Sequence, residues 1–335
     1  MASTCGLPRV LVPCRSLDGC SGLLGESAAK LLISVVVCTY NPADELLARC
    51  LDAILSQDLE QPAWELLVVD NNSHPPVSER TCVIERSVRV VTESTQGLSK
   101  ARECGVHNTE GSILVFVDDD NLIAPSYLRS VAVTFEDARL GVVSGAIAPE
   151  YERQPSPWFK PFEGMLAVRR LDSERNYLTN IPSYNYYFPI GAGMAVRREV
   201  IGNYYRSIVD GSAYVPGRVG SELSSAEDID LDFFAISQGY FVGSVGSLKL
   251  WHVIPAARTT LGYISRLAVA STRSAAEVNA KWSGTFGGDV YEFFSSSRLE
   301  IRIKYMLSAA LSWIPRFRIR YHVFKTFLES TRPRD

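Results

Sequence analysis

Asp118-Asp119-Asp120 places three carboxylates side by side, directly after the apolar run Ile113–Val117. Adjacent carboxylates repel one another unless a cation sits among them. Oxygen ligands of this kind suit Mg²⁺ or Mn²⁺, which bind through one or two carboxylates and complete their shells with substrate phosphates. Such an ion would cancel diphosphate charge and stabilise a departing nucleoside diphosphate. A solvated acidic turn ahead of Pro125 accounts for the same residues without a metal. Asp70 closes a second apolar run in Asp70-Asn71-Asn72-Ser73. It is either ordinary turn chemistry or an acceptor for a base or ribose donor.

Ser225-Ala226-Glu227-Asp228 leads into a helical pattern of Leu231, Phe234 and Ala235. Ser as N-cap with Asp three residues on is a capping box. The sharper alternative makes one carboxylate a general base for an acceptor hydroxyl, which contributes ~10²–10⁴-fold. His252 ends the short run Leu248–Trp251. It is a core or turn residue, or the nitrogen ligand that the acidic cluster otherwise lacks. His107, on a helical segment, reads as structural. Gly191-Ala192-Gly193-Met194 follows Tyr184, Tyr186, Tyr187 and Phe188. Glycine there relieves a bulge, or lets the backbone approach a sugar stacked on the rings, although core packing is the commoner fate of such rings. Pro157-Trp158-Phe159-Lys160 is open in the same way.

These residues need a scaffold, and the first half of the chain supplies one. Leu32–Cys38 is a continuous apolar run, the mark of a strand buried on both faces. Asn41-Pro42 then predicts a helix start, with Asn as N-cap and Pro at the first position. Strands are expected at Trp64–Val69, Ser87–Thr92, Ile113–Val117 and Gly141–Ala148, with helices from Leu98 to His107 and after Pro125. Alternation of this kind implies βαβ units and a mostly parallel, doubly wound α/β sheet. Parallel sheets bind ligands outside the carboxyl ends of their strands. Thr39-Tyr40-Asn41, Asp70-Asn71-Asn72 and Asp118-Asp119-Asp120 all fall on that rim. No GxGxxG or GxxxxGK[ST] accompanies them, so the dinucleotide fingerprint and the P-loop are both missing.

The balance of 34 Lys+Arg against 37 Asp+Glu, a net −3, is too weakly basic for a nucleic-acid partner. With 46% hydrophobic residues the chain is not a disordered one. Residues 298–335 carry nine Lys/Arg and three Asp/Glu, so a basic tail follows an acidic body. Seven Cys without CxxC spacing suit a reducing cytosol better than a disulfide framework. Pro8, Pro13, Cys14, Arg15 and Asp18 interrupt any signal-peptide core. The expected organisation is a poorly ordered leader over 1–30, a catalytic unit over 31–255 and a helical, basic extension over 256–335. In that extension Ile301, Ile303, Tyr305, Leu307, Leu311, Trp313 and Ile314 interleave with Arg302, Lys304, Arg316, Arg318 and Arg320. The segment lies on an anionic membrane surface, or packs on the catalytic unit with a solvated basic face.

Taken together, the segments resemble inverting family 2 glycosyltransferases of the GT-A fold. Val36–Asn41, Leu67–Ser73, Gln96–Arg102, Phe116–Asp120, Gly191–Met194 and Glu227-Asp228 carry the resemblance, in family order. It implies that Thr39, Tyr40, Asn41 and Asp70 hold the nucleoside, with Gly97 and Arg102 bordering that pocket. Asp118 and Asp120 fit the DxD pattern, flanking Asp119, with Asp120 as the direct metal ligand. Asp228 matches the usual base and Glu227 positions donor or acceptor. His252 stands where relatives place an extra metal or diphosphate contact, and Arg258 closes over the phosphates. Processive members add QxxRW and membrane helices, neither of which occurs here, so single-sugar transfer is expected. The implied activity is Mg²⁺- or Mn²⁺-dependent transfer of one sugar from a nucleoside diphosphate donor, UDP-linked, to a hydroxyl of a glycan or glycolipid. The implied setting is cell-surface polysaccharide or glycolipid assembly on the cytoplasmic side of the membrane. A nucleotidyltransferase and a non-catalytic sugar-nucleotide or glycan binder are the rivals.

Overall fold

The computed structural model describes residues 33–60, 63–212, 215, 217–220, 223, 226–292, 304, 306–312 and 314–330. The expected leader, Leu32, Ser225 and, in the basic segment, Ile301, Arg302, Ile303, Tyr305 and Trp313 lie outside the described residues. Among the described residues nine strands form one sheet. They are β1 (Ile33–Thr39), β2 (Trp64–Asp70), β3 (Arg89–Thr92), β4 (Ile113–Asp118), β5 (Asn121–Ile123), β6 (Leu140–Tyr151), β7 (Asn176–Thr179), β8 (Met194–Arg197) and β9 (Phe241–Ile254). The helices are α1 (Asp44–Leu55), α2 (Thr81–Ile84), α3 (Leu98–His107), α4 (Tyr127–Thr134), α5 (Arg198–Val209), α6 (Glu227–Ser237), α7 (Leu261–Phe286) and α8 (Pro315–Ser330).

Strand order is β3-β2-β1-β4-β8-β6-β9-β5, with β7 on β9. The first four of these pair in parallel, as the buried runs of β1, β2 and β4 require. Past β4 the sheet is mixed, because β8 enters antiparallel between β4 and β6. Alternation along β1 feeds two cores. Val35 and Val37 pack with Leu47, Leu51 and Ile54 of α1 on one face, while Val36 and Cys38 pack with Ala101 and Val106 of α3 on the other. Cys38 and Cys50 are buried free thiols, as their apolar surroundings imply.

Two starts differ from expectation. Asn41 adopts φ +48°, and α1 begins only at Asp44 behind Ala43, which has no side-chain cap bond. Asn41 is therefore a turn residue, its Oδ1 accepting the His74 N–H at 2.8 Å. Likewise α6 starts behind Ala226, which makes no side-chain cap bond, and the Ser225 of the expected capping box lies outside the described residues.

β6 and β9 run together with a register shift between Gly145 and Ala146. A Cβ on Gly145 would stand 1.9 Å from the Leu248 carbonyl oxygen, a backbone atom that cannot swing away. Gly145→Ala is therefore expected to cost at least ~1–3 kcal/mol. A lowered urea midpoint checks this, and an unchanged midpoint would mean that the two strands part freely.

The C-terminal helices complete the body. Ile264, Leu267 and Ala268 of α7 and Ile319 of α8 bury against Phe159, Leu166 and Ile254. α8 packs on α7, with Arg316, Arg318 and Arg320 exposed. Among the described residues no helix is long and apolar enough to cross a membrane.

Candidate active site

Register brings the rim together. Thr39 pairs with Asp70 across β1 and β2, and Cys38 with Asp118 across β1 and β4. These ends border a cavity of about 930 Å³. Its lining includes Thr39, Tyr40, Gly97, Arg102, Asp118, Asp119, Asp120, Glu227, Asp228, His252 and Arg258, all expected from the sequence. Asn41 and Asp70 do not line it. The Asp70 carboxylate accepts the N–H groups of Ser73 and Val77, each at 2.9 Å, and so serves the turn after β2. Asn71 takes the rim position instead. Its Oδ1 accepts the Gly97 N–H at 2.7 Å, and its Nδ2 donates to Thr95 O at 2.8 Å. Gly97, at φ +139°, stands immediately before α3 in a conformation that disfavours side chains.

The three rim aspartates divide the work. Asp120 Oδ2 accepts from Arg258 Nη1 at 3.0 Å and faces His252 Nε2 at 3.4 Å, while Asn121 donates to Oδ1 at 2.9 Å. Burial opposes its charge, but His252 and Arg258 outweigh it and hold Asp120 below the usual carboxylate range. At Asp118 and Asp119 the nearby cations do not outweigh burial. Burial first, and the Asp120 charge next, pushes Asp118 up and lifts Asp119 to about 7. Thr39 Oγ1 donates to Asp119 Oδ2.

Around the base candidate the groups are more deeply set. The Asp228 carboxylate accepts the Gly191 N–H and its own neighbour Ile229 N–H, both at 2.9 Å. Those bonds aim it from the first turn of α6 into the cavity wall. Gly191 also leaves room for Arg102, whose Nη2 would lie 2.5 Å from a Cβ there. Arg102 is 3% exposed, lies over Phe116, and faces Glu227 Oε2 at 3.7 Å. Burial works against the guanidinium, yet Glu227 and Asp118 hold its pKa above the ordinary value. Burial also pushes Glu227 up, against the pull of Arg102 and Ser99. Arg102 Nε and Glu227 Oε2 have no hydrogen-bond partner, which suits a polar ligand completing them.

Whether a divalent cation fits follows from the donors. Desolvation and the neighbouring Asp120 charge drive Asp118 and Asp119 toward protonation, and a cation relieves this. His252 Nδ1 sits 2.9 Å from Leu166 O, so a proton there leaves Nε2, which faces Asp120, as the ring's other donor atom. Among the described residues no group of three His, Cys, Asp or Glu side chains could hold a metal ion, so the expected set of Asp118, Asp120 and His252 is not assembled as three ligands. An ion that takes one or two carboxylates and completes its shell with phosphate oxygens fits that arrangement.

Sequence reasoning missed Arg218 and placed Asn71 on the rim without giving it a role. Arg218 lines the cavity and its charge reaches Asp118 and Asp120. Its carbonyl accepts the Leu98 N–H at 2.9 Å, docking this loop on the start of α3. Only its position between Gly217 and Gly220 marked it, and that is an ordinary loop signal. Asp232, one turn after Asp228, is wholly buried with both oxygens unpartnered; burial, then the Asp228 charge, pushes it far up.

A family model described as "Glycosyl transferase family 2" matches residues 34–204. Glycosyltransferase AglE of Haloferax volcanii is 28% identical over 148 residues, 43% of this chain and 45% of that protein. Glucosyl-dolichyl phosphate glucuronosyltransferase of the same organism is 27% identical over 131 residues, 38% of this chain and 42% of its own length. The chain spans less than half the length of these curated relatives. Mannosyltransferase PcManGT from Pyrobaculum calidifontis, solved with GDP-Man and Mn²⁺, superposes with a TM-score of 0.56 at 18% identity, covering 89% of this chain and 85% of that one. The last is a likeness of fold, and it bears out the GT-A type α/β architecture with a helical C-terminal region.

Proposed function

This chain belongs to glycosyl transferase family 2, and from that premise we propose that it moves one glycosyl unit from a nucleoside diphosphate sugar to an acceptor hydroxyl. The placement of Asp228 carries the reading. Its carboxylate is fixed by two N–H groups in the same cavity as the aspartate rim. Asp228 takes the acceptor proton as the acceptor oxygen attacks the anomeric carbon. The bond from that carbon to the phosphate oxygen breaks, its electron pair leaves with the diphosphate, and the anomeric configuration inverts. General-base help of this kind is worth ~10²–10⁴-fold.

Thr39, Tyr40, Gly97 and Asn71 border the nucleoside. Arg218 and Arg258 stand over the acidic rim and offer cations to the diphosphate. One or two of the rim carboxylates, Asp118 and Asp120, would hold Mg²⁺ or Mn²⁺ together with phosphate oxygens, and the ion would supply charge neutralisation for the leaving diphosphate. Glu227, paired with Arg102, positions donor or acceptor. Peripheral contact with an anionic membrane through the exposed arginines of α8, from the cytoplasmic side, belongs to the same proposal.

Incubation with UDP-sugars or GDP-mannose and Mn²⁺ is expected to release UDP or GDP. Pyrophosphate release would support a nucleotidyltransferase, and nucleotide binding without turnover a binding protein; either overturns the reading. EDTA is expected to suppress the release and excess Mn²⁺ to restore it. Full turnover in EDTA would remove the metal from the scheme.

A further inference from the structure

Tyr186 is 49% exposed, yet its ring is held from several sides. The Arg169 guanidinium lies 5.1 Å from the ring centroid. Tyr187 meets it edge-on at 5.4 Å, and the Tyr186 phenol oxygen accepts the Arg170 N–H at 3.2 Å. Arg169 is itself buried, donating to the carbonyl of Tyr186, to Phe188 O at 2.6 Å and to Ser244 Oγ at 3.3 Å. A half-exposed ring gains little from burial, so core packing does not explain this scaffolding. It does fix a flat apolar face at the cavity.

Two further rings belong to the same lining. Tyr184 and Tyr291 line the same cavity, tilted against each other with centroids 4.7 Å apart. Both lie within electrostatic reach of Asp228. An aromatic wall beside a hydroxyl-activating carboxylate matches the two sides of a pyranose, whose axial C–H groups form an apolar face and whose hydroxyls ring its edge. A peptide hydroxyl presents no such face, and a polyprenyl phosphate presents an anion next to Asp228.

We infer that Tyr184, Tyr186 and Tyr291 form the acceptor subsite, and that the acceptor is a glycoside whose sugar ring rests on Tyr186. The inference rests on the transferase reading of the cavity and adds the acceptor class to it.

The test follows nucleoside diphosphate release by the full chain with Mn²⁺ and UDP-glucose, UDP-galactose, UDP-N-acetylglucosamine or GDP-mannose. Methyl glycosides of glucose, galactose, mannose and N-acetylglucosamine are offered as acceptors, with products identified by mass spectrometry. At least one glycoside is expected to accelerate release and gain a sugar. Tyr186→Ala is expected to raise the KM for that glycoside by about tenfold with the donor KM unchanged, and Tyr186→Phe to restore it. Acceleration by undecaprenyl phosphate or a Ser/Thr peptide, and by no glycoside, overturns the acceptor assignment while leaving the transferase reading intact. Equal losses in the Ala and Phe variants overturn the role of the ring. Absence of both turnover and calorimetric UDP or GDP binding overturns the transferase reading and this inference together.

Discussion

Asp228→Asn is expected to lower the transfer rate by ~10²–10⁴-fold while UDP or GDP still binds. The substitution keeps the shape of the side chain, so an amide oxygen can go on accepting the Gly191 N–H now held at 2.9 Å. What it removes is the capacity to take a proton at the moment the acceptor oxygen attacks. Binding and chemistry therefore separate: kcat from diphosphate release falls, and calorimetric affinity for the nucleotide in Mn²⁺ does not. Glu227→Gln gives the contrasting pattern. Its carboxylate faces the buried Arg102 at 3.7 Å, so its loss disturbs the positioning of that cation and appears in KM. Undiminished kcat in Asp228→Asn would sink the assignment of the base.

The rim was legible because β1, β2 and β4 are buried on both faces and read as unbroken apolar runs, each ending abruptly in polar residues. Their in-register pairing then follows from the βαβ order, and Thr39, Asp70 and Asp118 come to one edge. Period-2 patterning identifies a strand but not its neighbour. The antiparallel entry of β8 next to β4, and the 14-residue span of β9 through Gly243 and Gly246, were accordingly not visible. Carboxylates posed a second ambiguity, since a turn and a ligand both want an acceptor. Both Asp70 and Asp228 accept two N–H groups, but Asp228 lines the cavity and Asp70 does not. The Tyr186 scaffold depends on Arg169, 17 positions earlier in the chain, a relation that no local pattern carries.

Asp230→Ala is expected to be the most destabilising single change on α6, by ~3–5 kcal/mol. Asp230 is fully buried and accepts from three groups on two other helices: Tyr204 Oη of α5 at 2.8 Å, and Lys281 Nζ and Trp282 Nε1 of α7, each at 2.7 Å. Removing it strands the ammonium of Lys281, whose side chain is only 13% exposed, and leaves a buried phenol and indole without their acceptor. Thermal unfolding is expected to shift down by on the order of 10 °C. Lys281→Met in the Asp230→Ala background is expected to recover part of the loss, because deleting a whole buried pair costs less than orphaning one partner. The same network ties the helix that carries Asp228 to α7, whose Ala268 and Thr272 line the cavity. The folded fraction of Asp230→Ala should therefore also show a lower kcat, measured well below its melting temperature. A variant that melts like the parent would mean that α6 is anchored by its apolar contacts alone, and that the buried carboxylate is dispensable to the seating of the base.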